Sequence, residues 1–207
     1  MYSVDPQLEN RISLNYLVGI QSCFEKFLLE LKDQKGFPTY GKPYSASEDK
    51  SRLSWTIKHV FSSLSVDKQQ LVWVCEYYRL VRNHYVHQSD PDSELRNVYS
   101  RLKNIDDGLL CSNIANRLNA PNEIDKICFD DQVLFSRCVR KMAEDLFIEA
   151  KYDWHFILED KMSELQLIAG TVWDCKLKRD KRIKNYLRQT YPISTDDQAL
   201  QQELDKL

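Results

Sequence analysis

The chain has 207 residues, of which 43% are apolar and 29% are charged, so its composition is that of a globular protein rather than a disordered one. The formal net charge of -2 indicates neither a nucleic acid nor a membrane surface as a partner. No run of about 18 apolar residues occurs. The first residues also lack a basic region followed by an apolar one, so we expect neither a membrane-spanning helix nor a signal peptide.

The cysteines favour a reducing compartment. None forms a C-x-x-C pair, and most fall on apolar helical stripes, where a reduced cysteine behaves as a small apolar residue. We therefore expect a cytoplasmic protein without disulfides. The six cysteines are Cys23, Cys75, Cys111, Cys128, Cys138 and Cys175.

Few helix breakers and long stretches of helical periodicity predict an all-α fold, an antiparallel helical bundle with additional C-terminal helices. Only five Gly and six Pro occur in the whole chain. The first helix is predicted over about 7–33. Its buried face is predicted from apolar residues three or four apart: Leu8, Ile12, Tyr16, Ile20, Phe24, Phe27 and Leu31.

The later helices follow from the same periodicity and from their caps. Ser45 and Glu48 fit a capping box for a second helix, and Pro91 should end a third helix that begins near Asp67. The apolar run Leu71–Cys75 also fits a strand, but it continues without turn residues, which favours helix. Residues 1–191 are predicted to form one domain, and 192–207 a polar tail or a loosely docked short helix. The remaining helices are predicted over about 93–103, 107–118, 124–150 and 153–177.

The third predicted helix carries polar residues on an otherwise apolar surface. Its apolar side chains spread nearly all the way round, which is typical of a central helix or an interface helix, and we expect a homodimer built on it. Glu76, Asn83 and His87 fall on almost one line of this helix. A polar stripe in an apolar surround is typical of a reactive site.

The six residues Arg82-Asn83-His84-Tyr85-Val86-His87 resemble the R-x4-6-H motif of HEPN domains, in which Asn often follows Arg. The resemblance implies a HEPN-like helical core and a metal-independent endoribonuclease of toxin–antitoxin or antiviral-defence systems. Arg82 would bind the scissile phosphate, His87 would transfer a proton, and Asn83 would position one of them. The variant of the motif with Tyr two residues after the His is not matched, because Ser89 stands there.

The resemblance also implies partners and products. Products would end in a 2′,3′-cyclic phosphate, and the partners would be an RNA substrate, a second copy of the chain, and an antitoxin or other defence-system protein. On an ideal helix Arg82 and His87 lie about 140° apart, so Arg82 must reach round the helix or serve the neighbouring subunit.

Other interpretations of the same residues remain open. Arg82 would also suit a structural ion pair with Glu76 or a distant acid, and His87 would suit the negative end of the helix. His84 and His87 form an H-x-x-H pair without a third ligand at helical spacing, so we expect no metal site, and no motif predicts a cofactor. A non-catalytic helical module that dimerises and binds a protein or a nucleotide is the alternative function.

A basic segment lies near the C-terminus. Its cations stand beside tyrosines and are candidates for RNA phosphate contacts, with a solvated helix face as the alternative. The candidate RNA-binding residues are Lys178, Arg179, Lys181, Arg182 and Lys184.

Overall fold

The structure is a computed structural model that describes residues 5–34, 36–37, 44–45, 49–88, 93–105, 114–115, 117–191, 193 and 197–207. These residues form nine α-helices and no strand, which confirms the all-α prediction. The helices are α1 (Pro6–Asp33), α2 (Arg52–Val60), α3 (Val66–His87), α4 (Ser93–Lys103), α5 (Phe129–Glu149), α6 (Trp154–Asp160), α7 (Met162–Ala169), α8 (Lys176–Leu187) and α9 (Gln198–Leu204).

The chain divides into two compact units. The first comprises Met1–Leu28 and Phe61–Asp145, and the second comprises Leu29–Val60 and Leu146–Leu207. The chain passes from one unit to the other at three positions, and two of these positions lie inside the continuous helices α1 and α5. No linker composition marks such a division, which is why the sequence indicates no boundary within 1–191.

Helix α3 is the centre of the first unit. Its side chains Tyr77, Tyr78 and Val81 have at most 1% of their surface exposed, and Leu134 and Phe135 of α5 are buried as fully. Most of the apolar surface of α3 is therefore covered within the chain. The homodimer expected on α3 therefore stays a prediction, and a second copy could contact its C-terminal turns, where Val86 and His87 are exposed.

The predicted buried face of α1 is wrong in its first half. Leu8, Ile12 and Tyr16 are 52%, 43% and 61% exposed. The helix carries two apolar stripes about 140° apart, and only one of them turns inward. The buried stripe consists of Leu14, Leu17, Phe24, Leu28 and Leu31.

Two other predicted helices also differ. Helix α2 begins at Arg52 after the cap Ser51, whose Oγ accepts from the Ser54 N–H at 3.0 Å, whereas Glu48 lies outside the described residues. The helix expected over about 153–177 is divided into α6 and α7, and α7 ends at Gly170, whose φ of +51° suits glycine. The helix expected over about 107–118 lies largely outside the described residues.

The C-terminal residues of the second unit include a docked helix. Asp197 caps α9 by accepting from the Leu200 N–H at 2.9 Å, and Leu200 and Leu204 are fully buried. Helix α9 contacts α6. Because its apolar side faces inward, α9 is part of the core of this unit.

A buried carboxylate holds the first unit together. Asp131, at the start of α5, has no exposed surface, and its Oδ1 accepts from the Tyr78 hydroxyl at 2.7 Å. The backbone N–H and the side-chain amide of Asn122 each donate to Asp131 at 2.9 Å, and the Cys128 N–H donates at 2.9 Å. The Tyr77 hydroxyl donates to the Asn122 carbonyl. One side chain therefore links α3, α5 and the segment before α5.

We expect Asp131→Ala to lower the free energy of unfolding by at least about 3 kcal/mol, because the buried Tyr78 hydroxyl and three half-buried N–H groups lose their acceptor. The matched control is Asp130→Ala, which removes one bond from the Asn119 N–H at 2.8 Å and should cost about 1 kcal/mol. Urea unfolding of both variants measures the difference. Equal losses would show that Asp131 has no special role.

The free energy of unfolding should decrease at alkaline pH. Burial, and then the charge of Asp131, raise the pKa of Tyr77 and Tyr78 above the ordinary value of 10.0. Above about pH 10 the unfolded chain releases phenolic protons that the native state keeps, so stability is intact below that pH and decreases above it. Tyr78→Phe should make the decrease shallower by about 1.4 kcal/mol per pH unit. Parallel curves of unfolding free energy against pH for wild type and variant would contradict this.

Candidate functional site

The motif segment 82–87 lies at the C-terminal end of α3. Ser65 caps the start of the helix by accepting from the Lys68 N–H at 3.3 Å. Gln88 ends the helix in the left-handed conformation (φ 51°), with its N–H bonded to the His84 carbonyl. Arg82, Asn83 and His87 therefore occupy the last two turns, where α3 passes from the core to the surface.

Arg82 is a half-buried cation without a counter-charge in the described part of the chain. Its Nη1 donates to the Asn83 Oδ1 at 3.0 Å. Its Nε is buried and has no hydrogen-bond partner among the described residues, and none of their carboxylates lies within ion-pair distance of it. Asn83 thus orients the guanidinium, and part of the donor capacity of Arg82 remains unused.

Glu76 does not neutralise Arg82. Its Oε2 accepts from the Nε of Arg79 at 2.6 Å, and both side chains are about 15% exposed or less. The ion pair between Arg82 and Glu76 that the sequence left open is therefore not formed.

The two histidines of the motif segment differ in environment. His87 is exposed, whereas His84 is only 8% exposed. No hydrogen bond among the described residues joins His87 to Arg82 or Asn83. The structure thus brings Arg82 and Asn83 together and leaves His87 separate at the helix end. In the described ranges no three His, Cys, Asp or Glu side chains are grouped as a metal would need.

Tyr85 ties the motif to α1. Its hydroxyl donates to the Asn15 Oδ1 at 3.2 Å. The two residues are 70 positions apart in sequence, so no local pattern could indicate this contact. It links α1 to the turn of α3 that lies between Arg82 and His87.

The basic segment forms α8, and its cations do different things. Arg179 is 7% exposed, and its guanidinium donates to the Asp180 carboxylate at 3.1 Å and to the Leu204 carbonyl at 3.0 Å. The guanidinium of Arg182 donates to the Ala169 carbonyl at 3.0 Å, at the end of α7. Both arginines hold α8 against its neighbours.

The lysines of α8 divide in the same way. Lys184 donates to the Gln201 amide oxygen of α9 at 2.6 Å. Lys178 and Lys181 are exposed, and neither forms a hydrogen bond or an ion pair with the described residues. These two lysines are the members of the predicted RNA-binding set that face solvent with their full donor capacity.

Comparison with models of protein families, with curated proteins and with solved structures finds no match to the chain. The resemblance to HEPN domains therefore rests on the six residues of α3. None of the described helices combines the length and the apolar composition that crossing a membrane requires.

Proposed function

We propose that the chain is a HEPN-like, metal-independent endoribonuclease that acts as a homodimer, in a toxin or antiviral-defence system. The observation that supports it is the state of Arg82, a half-buried guanidinium that lacks a carboxylate partner among the described residues and has an unused buried Nε. His87 lies exposed on the same helix, five residues further on.

An arginine in this state is suited to bind an anion. Leaving a buried donor unpaired costs about 1–3 kcal/mol, and a desolvated charge without a partner costs more. A phosphodiester supplies two oxygens that match the planar donor fork of a guanidinium. Because Asn83 already holds Nη1, the guanidinium is oriented before the phosphate arrives.

The reaction needs a base, an acid and a stabiliser of the phosphorane charge. His87 removes the proton from the 2′-OH, whose oxygen attacks the adjacent phosphorus while the bond to the 5′-oxygen breaks. Arg82 stabilises the negative charge that develops on the phosphoryl oxygens. The leaving 5′-oxygen takes a proton from a second acid, which in a two-fold dimer is the other copy's protonated imidazole. The products are a 2′,3′-cyclic phosphate and a 5′-hydroxyl.

We expect RNA cleavage to persist in EDTA, because the proposed steps use only Arg82 and His87. His87→Ala should lower the cleavage rate about 10²–10⁴-fold, the usual contribution of an acid–base group. Arg82→Ala should lower it similarly, and Arg82→Lys should not restore it, because an ammonium cannot bind both phosphate oxygens in a fork. Cleavage is measured on a panel of structured and unstructured RNAs.

The control for these variants is His155→Ala, which removes an exposed histidine outside α3 and should leave the rate unchanged. Circular dichroism and sedimentation must show that all variants stay folded and dimeric. A folded wild-type protein that leaves every RNA intact, or a rate unaffected by His87→Ala, would exclude the ribonuclease and leave the non-catalytic interaction module.

RNA phosphates should also contact the exposed lysines of α8. Reversing Lys178 and Lys181 together to Glu should weaken binding to unrelated RNAs equally and make the salt dependence shallower, by about 0.7 in the log–log slope for each lost contact with a single strand. The control is the double reversal Lys58→Glu and Lys151→Glu, two exposed lysines elsewhere in the chain. Equal affinities and salt slopes for both double variants would show that α8 is a solvated face.

A further inference from the structure

Helix α1 exposes a second apolar stripe, on the side away from its buried face. Leu8, Ile12 and Tyr16 are each more than 40% exposed and stand four residues apart. Gly19 and Cys23 continue the same line and are also exposed. The stripe covers about 22 Å of helix. Single exposed apolar residues are ordinary, but a continuous stripe of this length marks a binding surface.

A groove lies beside the second half of this stripe, at Tyr16, Gly19 and Cys23. Its walls are α1 and α5, and its volume is about 680 Å³. A Cβ atom placed on Gly19 would meet no heavy atom within 4 Å, so the floor of the groove is open there. We name it the α1/α5 groove; its lining residues are Asn15, Tyr16, Gly19, Ile20, Cys23, Ser136, Val139 and Arg140.

The charged residue that lines the α1/α5 groove is a cation. Arg140 is the only charged lining residue among those the structure describes. Its side chain is 82% exposed and forms an ion pair at 3.4 Å with Glu144, one turn later on its own helix. So exposed a pair is weak, and Arg140 can exchange Glu144 for a carboxylate of a partner. Arg11 is exposed one turn before Asn15 and has no partner for its side chain in the described ranges. Two guanidinium groups, those of the weakly paired Arg140 and of Arg11, thus stand beside the apolar floor.

We propose that the α1/α5 groove binds an amphipathic helix of a partner protein, with apolar residues at i, i+4 and i+7 on the groove and carboxylates on the flanks beside Arg140 and Arg11. An apolar groove between two helices suits a third helix, whose apolar stripe has the same spacing. The guanidinium border selects acidic flanks and disfavours basic ones. This surface is distinct from the proposed ribonuclease residues, and its test does not depend on RNA cleavage.

The test uses three fluorescent synthetic peptides of about 16 residues, long enough for the stripe. All are Ala-rich helices with Leu at the groove-facing positions; one has Glu on both flanks, one has Lys there, and one has the residues of the Glu peptide in scrambled order. We expect the Glu peptide to bind the full-length protein at least about tenfold more tightly than the Lys peptide by fluorescence anisotropy. The scrambled peptide should not bind.

Two variants locate the binding. Gly19→Gln fills the open floor without a clash. It should lower the affinity for the Glu peptide at least about tenfold, because the apolar contact is lost. Arg140→Glu should reverse the preference, so that the Lys peptide binds more tightly than the Glu peptide. The controls on the exposed face of α4, Ser100→Gln and Arg101→Glu, should leave both affinities unchanged.

Several results would overturn the proposal. These are the absence of saturable binding by the Glu peptide, binding that Gly19→Gln leaves intact, or a preference that Arg140→Glu does not change. Sedimentation of the wild-type protein and of Gly19→Gln tests whether a second copy of the chain occupies the groove instead of a partner helix. A wild-type dimer that Gly19→Gln converts to a monomer would show that a second copy of the chain covers the groove.

Discussion

The buried carboxylate of Asp131 is the interaction on which the first unit depends. It is a charge without exposed surface, and it is stabilised by donors from Tyr78, Asn122 and Cys128. An ionised group in such a place is tolerated only when its oxygens are fully occupied, so its partners must keep their positions. One of these partners belongs to α3, and the register of α3 against α5 is fixed at that point. The position of Arg82, one turn further along, follows from it.

Burial along α3 decreases from its middle to its end, and this gradient defines the candidate site. Tyr78 is completely buried, Arg82 and Asn83 are half-buried, and His87 is exposed. A guanidinium at the boundary is partly desolvated, so its attraction to an anion is stronger than it would be at the open surface. The exposed His87 remains accessible to a polar substrate. One helix therefore serves as core and as candidate site, because its middle is buried and its last turns reach solvent.

The sequence predicts well what depends on neighbours along the chain. The sequence predicts that α3 begins near Asp67, and the helix begins at Val66, because the local cap Ser65 sets its start. The face of α1 was predicted wrongly, because Leu8 and Leu14 belong to two equally apolar stripes, and only the packing decides which one is buried. The sequence predicts Arg179 to be an RNA-binding cation, yet its guanidinium donates to the Leu204 carbonyl, 25 residues away, on a C-terminal helix whose docking the sequence leaves open. Contacts at such separations require the folded chain.

The candidate site and the α1/α5 groove meet at Asn15. This residue lines the groove and accepts the hydrogen bond of Tyr85, which stands on α3 between Arg82 and His87. A helix seated in the groove would contact Asn15, and a shift of the Asn15 amide would change its hydrogen bond to Tyr85. A bound helix that favours one orientation of the Asn15 side chain would then also favour one position of Tyr85 and of the C-terminal end of α3. If a helix bound in the groove changes the affinity of Arg82 for RNA by some factor, then by linkage bound RNA would change the affinity of the groove for that helix by the same factor.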